Sequence, residues 1–342
     1  MRQIRTIDRV LRCARSGKFK VLFGRSLTGR GWAVILPVIF SVALLSCSRK
    51  PSEVAQSAPE EPGVRTEMLV SAGWLEGNLG QENLVILQVA DSSADYNKSH
   101  IPGALFLRWN DIVVNRDGVT NELPEPEHLT ALVQRLGITE NSHIVLYDQG
   151  EGVQAARAYV TFDYLGLGGV TALLDGQLKK WTAEGRPANS EVPEVLPSGF
   201  VPHFNPEVIA SLDEVRKLVE SGDTGACLVD ARSPEQYSGQ EAGHGSTRGG
   251  HIPGAENLPW QLSIVSTGNP VLKPADELRK LYSGAGVSPG KPVIAYCNTG
   301  RTASQDYFVL KYLGHSTRLY DGSFSQWSTS EGTPVQEGAE PK

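Results

Sequence analysis

Cysteine is scarce in this chain of 342 residues. The four cysteines are Cys13, Cys47, Cys227 and Cys297. A disulfide framework of the kind that holds small exported proteins together needs more cysteines than this. Cys13 and Cys47 lie in the amino-terminal segment discussed below, and Cys227 lies in an apolar run that predicts a buried strand residue. Cys297 is therefore the one thiol in the body of the chain that is left for chemistry.

Basic residues are also scarce outside the amino terminus. Nine of the 32 Lys and Arg residues lie within residues 1–46, against one of the 38 acidic residues, so residues 47–342 carry a formal charge of −14. A body this acidic repels nucleic acid, and we predict no nucleic-acid partner. An anionic substrate would have to be attracted by a local pocket of backbone N–H groups and a few arginines.

The first 46 residues have the pattern of an export signal. The basic residues precede residues 31–46, which carry no charge, contain Pro37 and form a run that is short for a membrane span. Leu44-Leu45-Ser46-Cys47 resembles the end of a bacterial lipoprotein signal, which implies lipidation of Cys47; an uncleaved anchor is the alternative. In either case we predict an exported protein that is attached to a membrane and faces the periplasm or the cell exterior. Residues 47–65, rich in Pro, Glu and Ser, predict a flexible tether.

One pattern then occurs twice in the same order. His100-Ile101-Pro102-Gly103-Ala104 recurs as His251-Ile252-Pro253-Gly254-Ala255. Further matched pairs are Ile144-Val145-Leu146-Tyr147 with Val293-Ile294-Ala295-Tyr296, and Leu174-Asp175-Gly176 with Tyr320-Asp321-Gly322. Chance repetition of short words would not preserve their order, so the pattern indicates an internal duplication of one domain. Trp181 and Trp327 follow the last pair at equal spacing, and we predict that both are core residues.

Within each copy, short runs rich in Val, Ile and Leu alternate with helix-like stretches. The predicted strands include residues 84–89 and 227–230, and the predicted helices include residues 127–136 and 303–313. This alternation predicts an α/β fold of two domains, each a parallel sheet with helices on both faces and ligands at the carboxyl ends of the strands. The predicted domains span residues 66–187 and 206–336, and a proline-containing linker over residues 188–205 joins them.

Cys297 lies where the predicted strand over residues 292–296 turns into the helix that begins at Ala303. A thiol at such a junction faces the unpaired N–H groups and the positive dipole end of the helix, which stabilise a thiolate or a bound anion. This position is typical of a nucleophile. The other interpretation is a small buried cysteine in a turn, since free cysteine packs like an apolar residue.

These features together resemble the tandem form of the rhodanese family of sulfurtransferases, in which a catalytically silent domain precedes a catalytic one. The resemblance covers about residues 66 to 336. It depends most on the duplicated His-Ile-Pro-Gly-Ala, Asp230-Ala231-Arg232, the Tyr296-Cys297 loop and Tyr320-Asp321-Gly322-Ser323. In the first copy Asp148 stands where Cys297 stands in the second, and a carboxylate cannot accept sulfur as a thiolate does. The resemblance thus implies a silent first domain that walls the active-site cleft of the second.

The resemblance also implies a reaction. Cys297 would take the outer sulfur of a small anionic donor, thiosulfate or 3-mercaptopyruvate, become a persulfide and pass the sulfur to a thiol or cyanide acceptor. No cofactor is implied. The loop amides would hold the negative charge, Gly300 would let the loop curl, Thr302 would cap the helix or donate its hydroxyl, and Arg301 would attract the donor. The expected substrate-binding residues are Asn298, Thr299, Gly300, Arg301, Thr302, Arg232 and Arg248.

Two of these arginines have alternatives. Arg232 either binds the donor or forms a structural ion pair with Asp230 or Glu235. Arg248 lies in a glycine-rich insert, where it would compensate for an arginine that 3-mercaptopyruvate enzymes carry and that Gln236 replaces here. The missing arginine weakens the case for 3-mercaptopyruvate. In the loop after Cys297, Thr299 resembles the mercaptopyruvate enzymes and the charge of Arg301 resembles the thiosulfate enzymes, and we favour thiosulfate as the donor.

Other classes of protein fit parts of the pattern. Cysteine phosphatases need an arginine six positions after the cysteine, where this chain has Ala303, which argues against a phosphatase. A sulfur carrier or binding module, loaded and unloaded by partners without turnover of small donors, stays open. His244 and His251 lack further Cys or His residues at ligand spacing, so no metal site is predicted. Arg157, on the helix after the silent loop, either forms an internal ion pair or contacts substrate.

Overall fold

The computed structural model of the protein describes residues 61–222 and 225–340. The predicted export signal, its lipidation site and most of the predicted tether lie outside these residues. Within the described residues, every helix is too short or too polar to cross a membrane.

Residues 61–65, the last part of the predicted tether, are bound to the second domain. The backbone N–H of Arg65 donates to the carbonyl of Tyr312 at 2.7 Å, and the guanidinium of Arg279 donates to the carbonyl of Pro62 at 2.5 Å. This end of the predicted tether therefore has two backbone contacts with the folded body, at Pro62 and Arg65.

The first half of the chain forms a five-stranded parallel sheet and a separate hairpin. Its strands are β1 (Leu69–Val70), β2 (Leu84–Ala90), β3 (Ala104–Arg108), β4 (Val114–Arg116), β5 (Val119–Glu122), β6 (His143–Asp148) and β7 (Thr171–Leu174). Its helices are α1 (Ala72–Asn78), α2 (Trp109–Ile112), α3 (Pro126–Arg135), α4 (Val153–Tyr164) and α5 (Gln177–Ala183). The sheet order is β1-β7-β6-β2-β3, and β4 pairs with β5 as an antiparallel hairpin.

The second half repeats this arrangement. Its strands are β8 (Ile209–Ala210), β9 (Cys227–Asp230), β10 (Ala255–Asn257), β11 (Ile264–Ser266), β12 (Asn269–Leu272), β13 (Val293–Tyr296) and β14 (Thr317–Tyr320). Its helices are α6 (Leu212–Ser221), α7 (Pro234–Ser238), α8 (Ala275–Gly284), α9 (Ala303–Tyr312) and α10 (Ser323–Thr329). The sheet order β8-β14-β13-β9-β10 matches the first sheet strand for strand. The predicted pair of α/β domains is confirmed.

Helices cover both faces of each sheet because alternate strand residues point to opposite faces. In the first sheet, Ile86 and Val145 pack on one face with Trp181 of α5, while Leu87 and Leu146 pack on the other face in the core that contains α3 and α4. Trp327 of α10 fills the corresponding core of the second domain. Both tryptophans are fully buried, which confirms their predicted core role.

The two domains share one apolar core through α4 and α9. Tyr159 of α4 packs edge-on against Phe308 of α9, with ring centroids 5.0 Å apart. Tyr307 donates its hydroxyl to the Asp163 carboxylate at 2.5 Å, so the polar tip of this buried ring has a partner across the interface. A large, buried and largely apolar contact of this kind holds two domains in a fixed relation.

The repeated histidines have the same structural role in both copies. His100 stacks on Tyr96 with ring centroids 3.9 Å apart, and His251 stacks on Tyr237 at 3.7 Å. In each case Nδ1 lies within hydrogen-bond distance of the stacking tyrosine's carbonyl oxygen, at 2.7 and 2.9 Å. Both rings are buried, so this part of the duplicated pattern serves folding.

Each domain extends its hairpin over the other domain. The first hairpin, residues 114–122, lies beside the loop that follows β13, and the second hairpin, residues 264–272, lies beside the loop that follows β6. The carboxylate of Asp321 accepts from the N–H of Leu123 at 3.0 Å, and the carboxylate of Asp175 accepts from the N–H of Leu272 at 3.0 Å. The two contacts are equivalent, since the two aspartates are matched in the repeat.

Candidate active site

Cys297 lies at the carboxyl end of β13, one of the three inner strands of the second sheet. Only 1% of the residue is exposed, so the thiol lies at the base of a cleft. Helix α9 begins at Ala303, as predicted, and residues 298–302 form the loop between strand and helix. We call residues 297–302 the Cys297 loop.

The turn between β14 and α10 holds this loop through hydrogen bonds of Ser323. The hydroxyl of Ser323 accepts from the N–H groups of Cys297 and Gly300, at 3.2 and 2.9 Å, and donates to the carbonyl of Tyr320 at 2.8 Å. Ser323 has a φ of 54°, a left-handed conformation that is uncommon outside glycine. Its buried side chain thus fixes the backbone on both sides of the loop. The sequence included Ser323 only as the last residue of the Tyr320-Asp321-Gly322-Ser323 motif, and that motif was the only local signal of this role.

Several amides of the Cys297 loop have no partner among the described residues. They are the N–H groups of Asn298, Thr299, Arg301 and Thr302. Thr302 stands at the N-cap of α9, but its side chain makes no capping hydrogen bond, so capping, one of its two predicted roles, is not observed. Open amides at the start of a helix form a site for an anion.

The equivalent loop of the first domain uses its amides differently. The buried carboxylate of Asp148 accepts from the N–H groups of Gly150, Gly152, Gln154 and Ala155, at 2.8 to 3.2 Å. Burial raises the pKa of this carboxyl, and the four amide donors oppose that shift. The first domain therefore fills its own anion site with a side chain.

The cleft beside Cys297 has a volume of about 780 Å³ and lies between the domains. The first domain lines it with Asn110, Val113, Val114, Asn115, Thr120 and Asn121, and the second with His244, Cys297, Asn298, Thr299, Arg301 and Thr302. The cavity beside the silent loop is only about 10 Å³, so a small donor has room on one side of the molecule and not on the other. Most of the polar side chains lining the large cleft are neutral amides and hydroxyls.

The structure separates the three predicted arginines. Arg301 lines the cleft, and its guanidinium carbon lies 4.8 Å from the ring centroid of Trp109, a cation–π contact with the first domain. Arg232 is 3% exposed and forms a buried ion pair with Asp230 at 2.6 Å, one of the two partners considered for a structural role. Its guanidinium also donates to the carbonyl of Gly250 at 2.8 Å. Arg232 does not line the cleft.

Arg248 is likewise occupied by protein groups. Its guanidinium donates to the carbonyls of Trp327, Ser328 and Thr333, at 2.7 to 3.1 Å, and to the hydroxyl of Thr333. These acceptors lie at and just beyond the end of α10, where carbonyl groups lack partners within the helix. The geometry therefore gives Arg248 a structural role, in place of the predicted contact with the donor.

The insert that carries Arg248 adds a residue that was not predicted for this site. His244 lines the cleft with Cys297, although sequence reasoning considered it only as a metal ligand. Asn298 donates its side-chain amide to Gln236 at 2.9 Å, so the residue in place of the expected arginine binds the Cys297 loop. Within residues 61–222 and 225–340, no three His, Cys, Asp or Glu side chains lie close enough to hold a metal ion.

Cys227 lies in β9 and is 6% exposed, as predicted for a buried strand residue. Burial raises the pKa of its thiol. Cys227 and Cys297 are both free thiols.

Both halves of the chain match the family described as the rhodanese-like domain, over residues 71–184 and 211–330. A relative from Thermus thermophilus, named sulfur carrier protein TtuD, is 35% identical over 285 residues, covering 80% of this chain and 98% of the relative. A thiosulfate sulfurtransferase from Corynebacterium glutamicum is 33% identical over 293 residues, covering 81% and 92%.

A solved structure shows the same architecture. SseA from Escherichia coli, described as a 3-mercaptopyruvate sulfotransferase, superposes with a TM-score of 0.66 at 28% identity, covering 75% of this chain and 98% of that one. The two family matches include the Cys297 loop and all but the first strand of each sheet, as the duplicated pattern predicted. The chain therefore belongs to the rhodanese family of sulfurtransferases, with two rhodanese-like domains in tandem.

Proposed function

We propose that this protein moves a sulfane sulfur from thiosulfate to a thiophilic acceptor through a persulfide on Cys297. The observation that carries the proposal is the set of open amides around Cys297, beside a cleft of about 780 Å³. The matched loop of the first domain has no thiol, and the Asp148 carboxylate binds the N–H groups of Gly150, Gly152, Gln154 and Ala155, so we assign the chemistry to the second domain.

The reaction needs two displacements at sulfur. The Cys297 thiolate attacks the outer sulfur of thiosulfate, a sulfur–sulfur bond forms, the bond to the sulfonate sulfur breaks, and sulfite leaves with the electron pair. A thiolate or cyanide then attacks the outer sulfur of the persulfide and releases the Cys297 thiolate. Both resting and loaded states carry negative charge, which amides at a helix start are suited to hold.

The cleft favours thiosulfate over 3-mercaptopyruvate. Recognition of a carboxylate commonly uses the paired donors of an arginine fork. Arg301 is the one arginine that lines the cleft within the described residues, since Arg232 and Arg248 are bound to protein groups. Gln236, at the position expected for a further arginine, binds Asn298.

Intact mass spectrometry tests this proposal. Exposure to thiosulfate should add one sulfur atom to the wild-type protein and none to Cys297→Ser, and cyanide should remove it with formation of thiocyanate. A wild-type protein that gains no sulfur from thiosulfate, or a Cys297→Ser variant that gains it, would contradict the proposal. Equal loading by 3-mercaptopyruvate would contradict the donor preference alone.

A sulfur carrier is the second candidate, because a relative at 35% identity is named as one. Both functions load Cys297, and they differ in turnover. A carrier would accept one sulfur per molecule and show no steady-state formation of thiocyanate with thiosulfate and cyanide. An enzyme would form thiocyanate continuously at a rate proportional to its concentration.

We also propose that the protein is exported and anchored through lipid on Cys47, which lies outside the described residues. The basic amino terminus and the Leu44-Leu45-Ser46-Cys47 sequence support this localisation. Metabolic labelling with a fatty acid should mark the wild-type protein in the membrane fraction and leave Cys47→Ser unlabelled. Unlabelled wild-type protein in the cytoplasm would refute the anchor.

A further inference from the structure

The first domain contacts the Cys297 loop through a continuous chain of polar contacts. Arg157 of α4 forms a two-pronged ion pair with Asp321, at 2.5 and 3.0 Å, and also donates to the backbone carbonyl of Asn121 at 2.6 Å. The side-chain amide of Asn121 donates to the hydroxyl of Thr299 at 2.9 Å. A residue of the silent domain thus reaches the second residue after the nucleophile.

The loop also packs directly on this ion pair. Gly300 has a φ of 71°, and a Cβ atom added there would lie 2.5 Å from an Asp321 carboxylate oxygen and 3.2 Å from a guanidinium nitrogen of Arg157. Arg157 is fully buried and Asp321 is 5% exposed. Because the guanidinium is neutralised by its partner, it positions the backbone and does not serve as the cation for the donor.

The opposite side of the molecule offers a comparison. Gln305 of α9 corresponds to Arg157 of α4, since each lies seven residues before the end of its helix. Gln305 and Asp175 line the same small cavity, yet the side-chain oxygen of Gln305 is buried without a hydrogen-bond partner among the described residues. Asp175 pairs instead with Lys180 of its own domain, at 3.8 Å, so of the two matched sites the one beside Cys297 has the ion pair that joins the domains.

The Cys297 loop needs contacts with neighbouring residues because its open amides make no hydrogen bonds that would fix its conformation. Backbone groups that are left unpaired for a ligand must be held by contacts elsewhere in the loop. On the second-domain side these contacts come from Ser323 and Gln236. On the first-domain side the contact comes from Asn121.

We propose that Asn121 and Arg157 of the silent domain are positioning residues for the Cys297 loop. Asn121 holds Thr299, and the Arg157–Asp321 pair supports both Asn121 and Gly300, so that the open amides stay directed at the thiolate and at the persulfide formed on it. This inference deepens the proposed function and rests on it. The silent domain then contributes to catalysis through the backbone of its partner, in addition to walling the cleft.

The test removes the hydrogen bond between Asn121 and Thr299, either at its donor or at its acceptor. Asn121→Gly removes the amide and tolerates the φ of 65° found at this position, and Thr299→Val removes the hydroxyl that accepts the bond. Thr299→Ser keeps that hydroxyl and serves as the conservative rescue. Asp175→Asn is the matched control on the opposite side of the molecule, away from the Cys297 loop.

We measure kcat and KM with thiosulfate and cyanide, the rate of Cys297 alkylation by iodoacetamide, followed by peptide mass spectrometry, and the melting temperature. We expect Asn121→Gly and Thr299→Val each to lower kcat about tenfold, with KM changed less than about twofold, and to slow alkylation. The double variant should lose no more than either single variant, because both changes remove the same bond. Thr299→Ser should recover most of the kcat and alkylation rate that Thr299→Val loses, and Asp175→Asn should match the wild type.

A purely structural role would lower the melting temperature while kcat and the alkylation rate stay at wild-type values, and that result would overturn the inference. Additive losses in the double variant would overturn it too. Alkylation does not require sulfur transfer, so the inference can fail while the wild type still forms its persulfide. It can also hold when thiosulfate proves to be the wrong donor.

Discussion

Asp148 and Cys297 occupy matched positions at the ends of β6 and β13, and each residue determines what the amides after it can bind. The Asp148 carboxylate accepts from four backbone N–H groups, two in its own loop and two in the first turn of α4. The Cys297 loop leaves its amides open toward a cleft. Asp148 therefore leaves the first domain without a nucleophile and with its anion site filled by a side chain.

Replacement of Asp148 should affect stability and leave chemistry unchanged. Asp148→Asn places an amide nitrogen against backbone donors, so we expect a loss of about 2 kcal/mol in the free energy of unfolding. Sulfur transfer by Cys297 should stay within twofold of the wild type. Denaturant unfolding and thiosulfate turnover measure the two effects.

A companion variant tests whether a thiol alone would restore the first site. Asp148→Cys in a Cys297→Ser background should form no persulfide, because the two loops differ in length: Asp148 lies nine positions before Arg157, and Cys297 lies eight positions before the matched Gln305. The adjacent cavity is also only about 10 Å³. A gain of sulfur by this double variant would show that loop length and space do not limit the reaction.

Substitution of Arg301 should mainly change KM, whereas substitution of Arg232 should mainly change the free energy of unfolding. Arg301→Ala removes the exposed cation of the cleft, so we expect KM for thiosulfate to rise about tenfold, with about 0.5–1 kcal/mol of stability lost with the Trp109 contact. Arg232→Gln leaves the Asp230 carboxylate buried without its partner, and we expect a loss of about 3–5 kcal/mol of stability. Steady-state kinetics and thermal unfolding of both variants check the contrast. A normal melting temperature for Arg232→Gln would refute its structural role.

Gly300 is required because its φ angle is positive and because a Cβ atom there would have too little space. Gly290 is a control for the effect of the φ angle alone. Both have positive φ angles, 71° and 77°, but a Cβ at Gly290 would have no neighbour within 4 Å. Gly290→Ala should cost about 1–2 kcal/mol from backbone strain alone. Gly300→Ala should cost more and should lower kcat, since its Cβ would press on the carboxylate of Asp321. Equal melting temperatures and normal kcat for the two variants would argue against close packing at Gly300.

A buried carboxyl on α9 should give the protein a specific pH dependence. Burial raises the pKa of Asp306 to about 8, and the Tyr282 hydroxyl donates to this carboxyl at 2.6 Å. The folded state therefore holds a proton that the unfolded chain releases near pH 4. The stability that this proton provides is fully present below about pH 4 and is lost as the pH rises to about 8, by at most about 1.4 kcal/mol per pH unit.

Asp306→Asn removes this titration and keeps the side-chain shape. The difference in unfolding free energy between variant and wild type, measured in denaturant from pH 4 to 8, should move steadily in favour of the variant as the pH rises. A difference that stays constant over this range would mean that Asp306 is already ionised in the folded protein at low pH.

The regular elements were largely predictable from sequence because their signals are local. The predicted strand over residues 227–230 matches β9, and the predicted helix over residues 127–136 is displaced by one residue from α3. The start of α9 at Ala303 was also correct. Apolar periodicity and the repeat itself carry this information within a few residues of each position.

The partners of the charged residues depend on tertiary structure and were harder to predict. Arg248 binds carbonyl groups about 80 positions away along the chain, and a carbonyl at a helix end has no sequence signature. Arg157 pairs with Asp321 across the domain boundary, although the sequence left substrate contact open. The positions of the two hairpins between the domains likewise could not be predicted without knowledge of how α4 packs on α9.

The reciprocal hairpins explain why a domain without a nucleophile persists in this protein. Loss of the inert half would leave the reactive cysteine facing bulk water with one side of its loop unsupported. Residues 114–122 are therefore part of the scaffold of the reactive loop, although they lie far from Cys297 in the sequence. Excision of either half would remove the hairpin that lies over its neighbour.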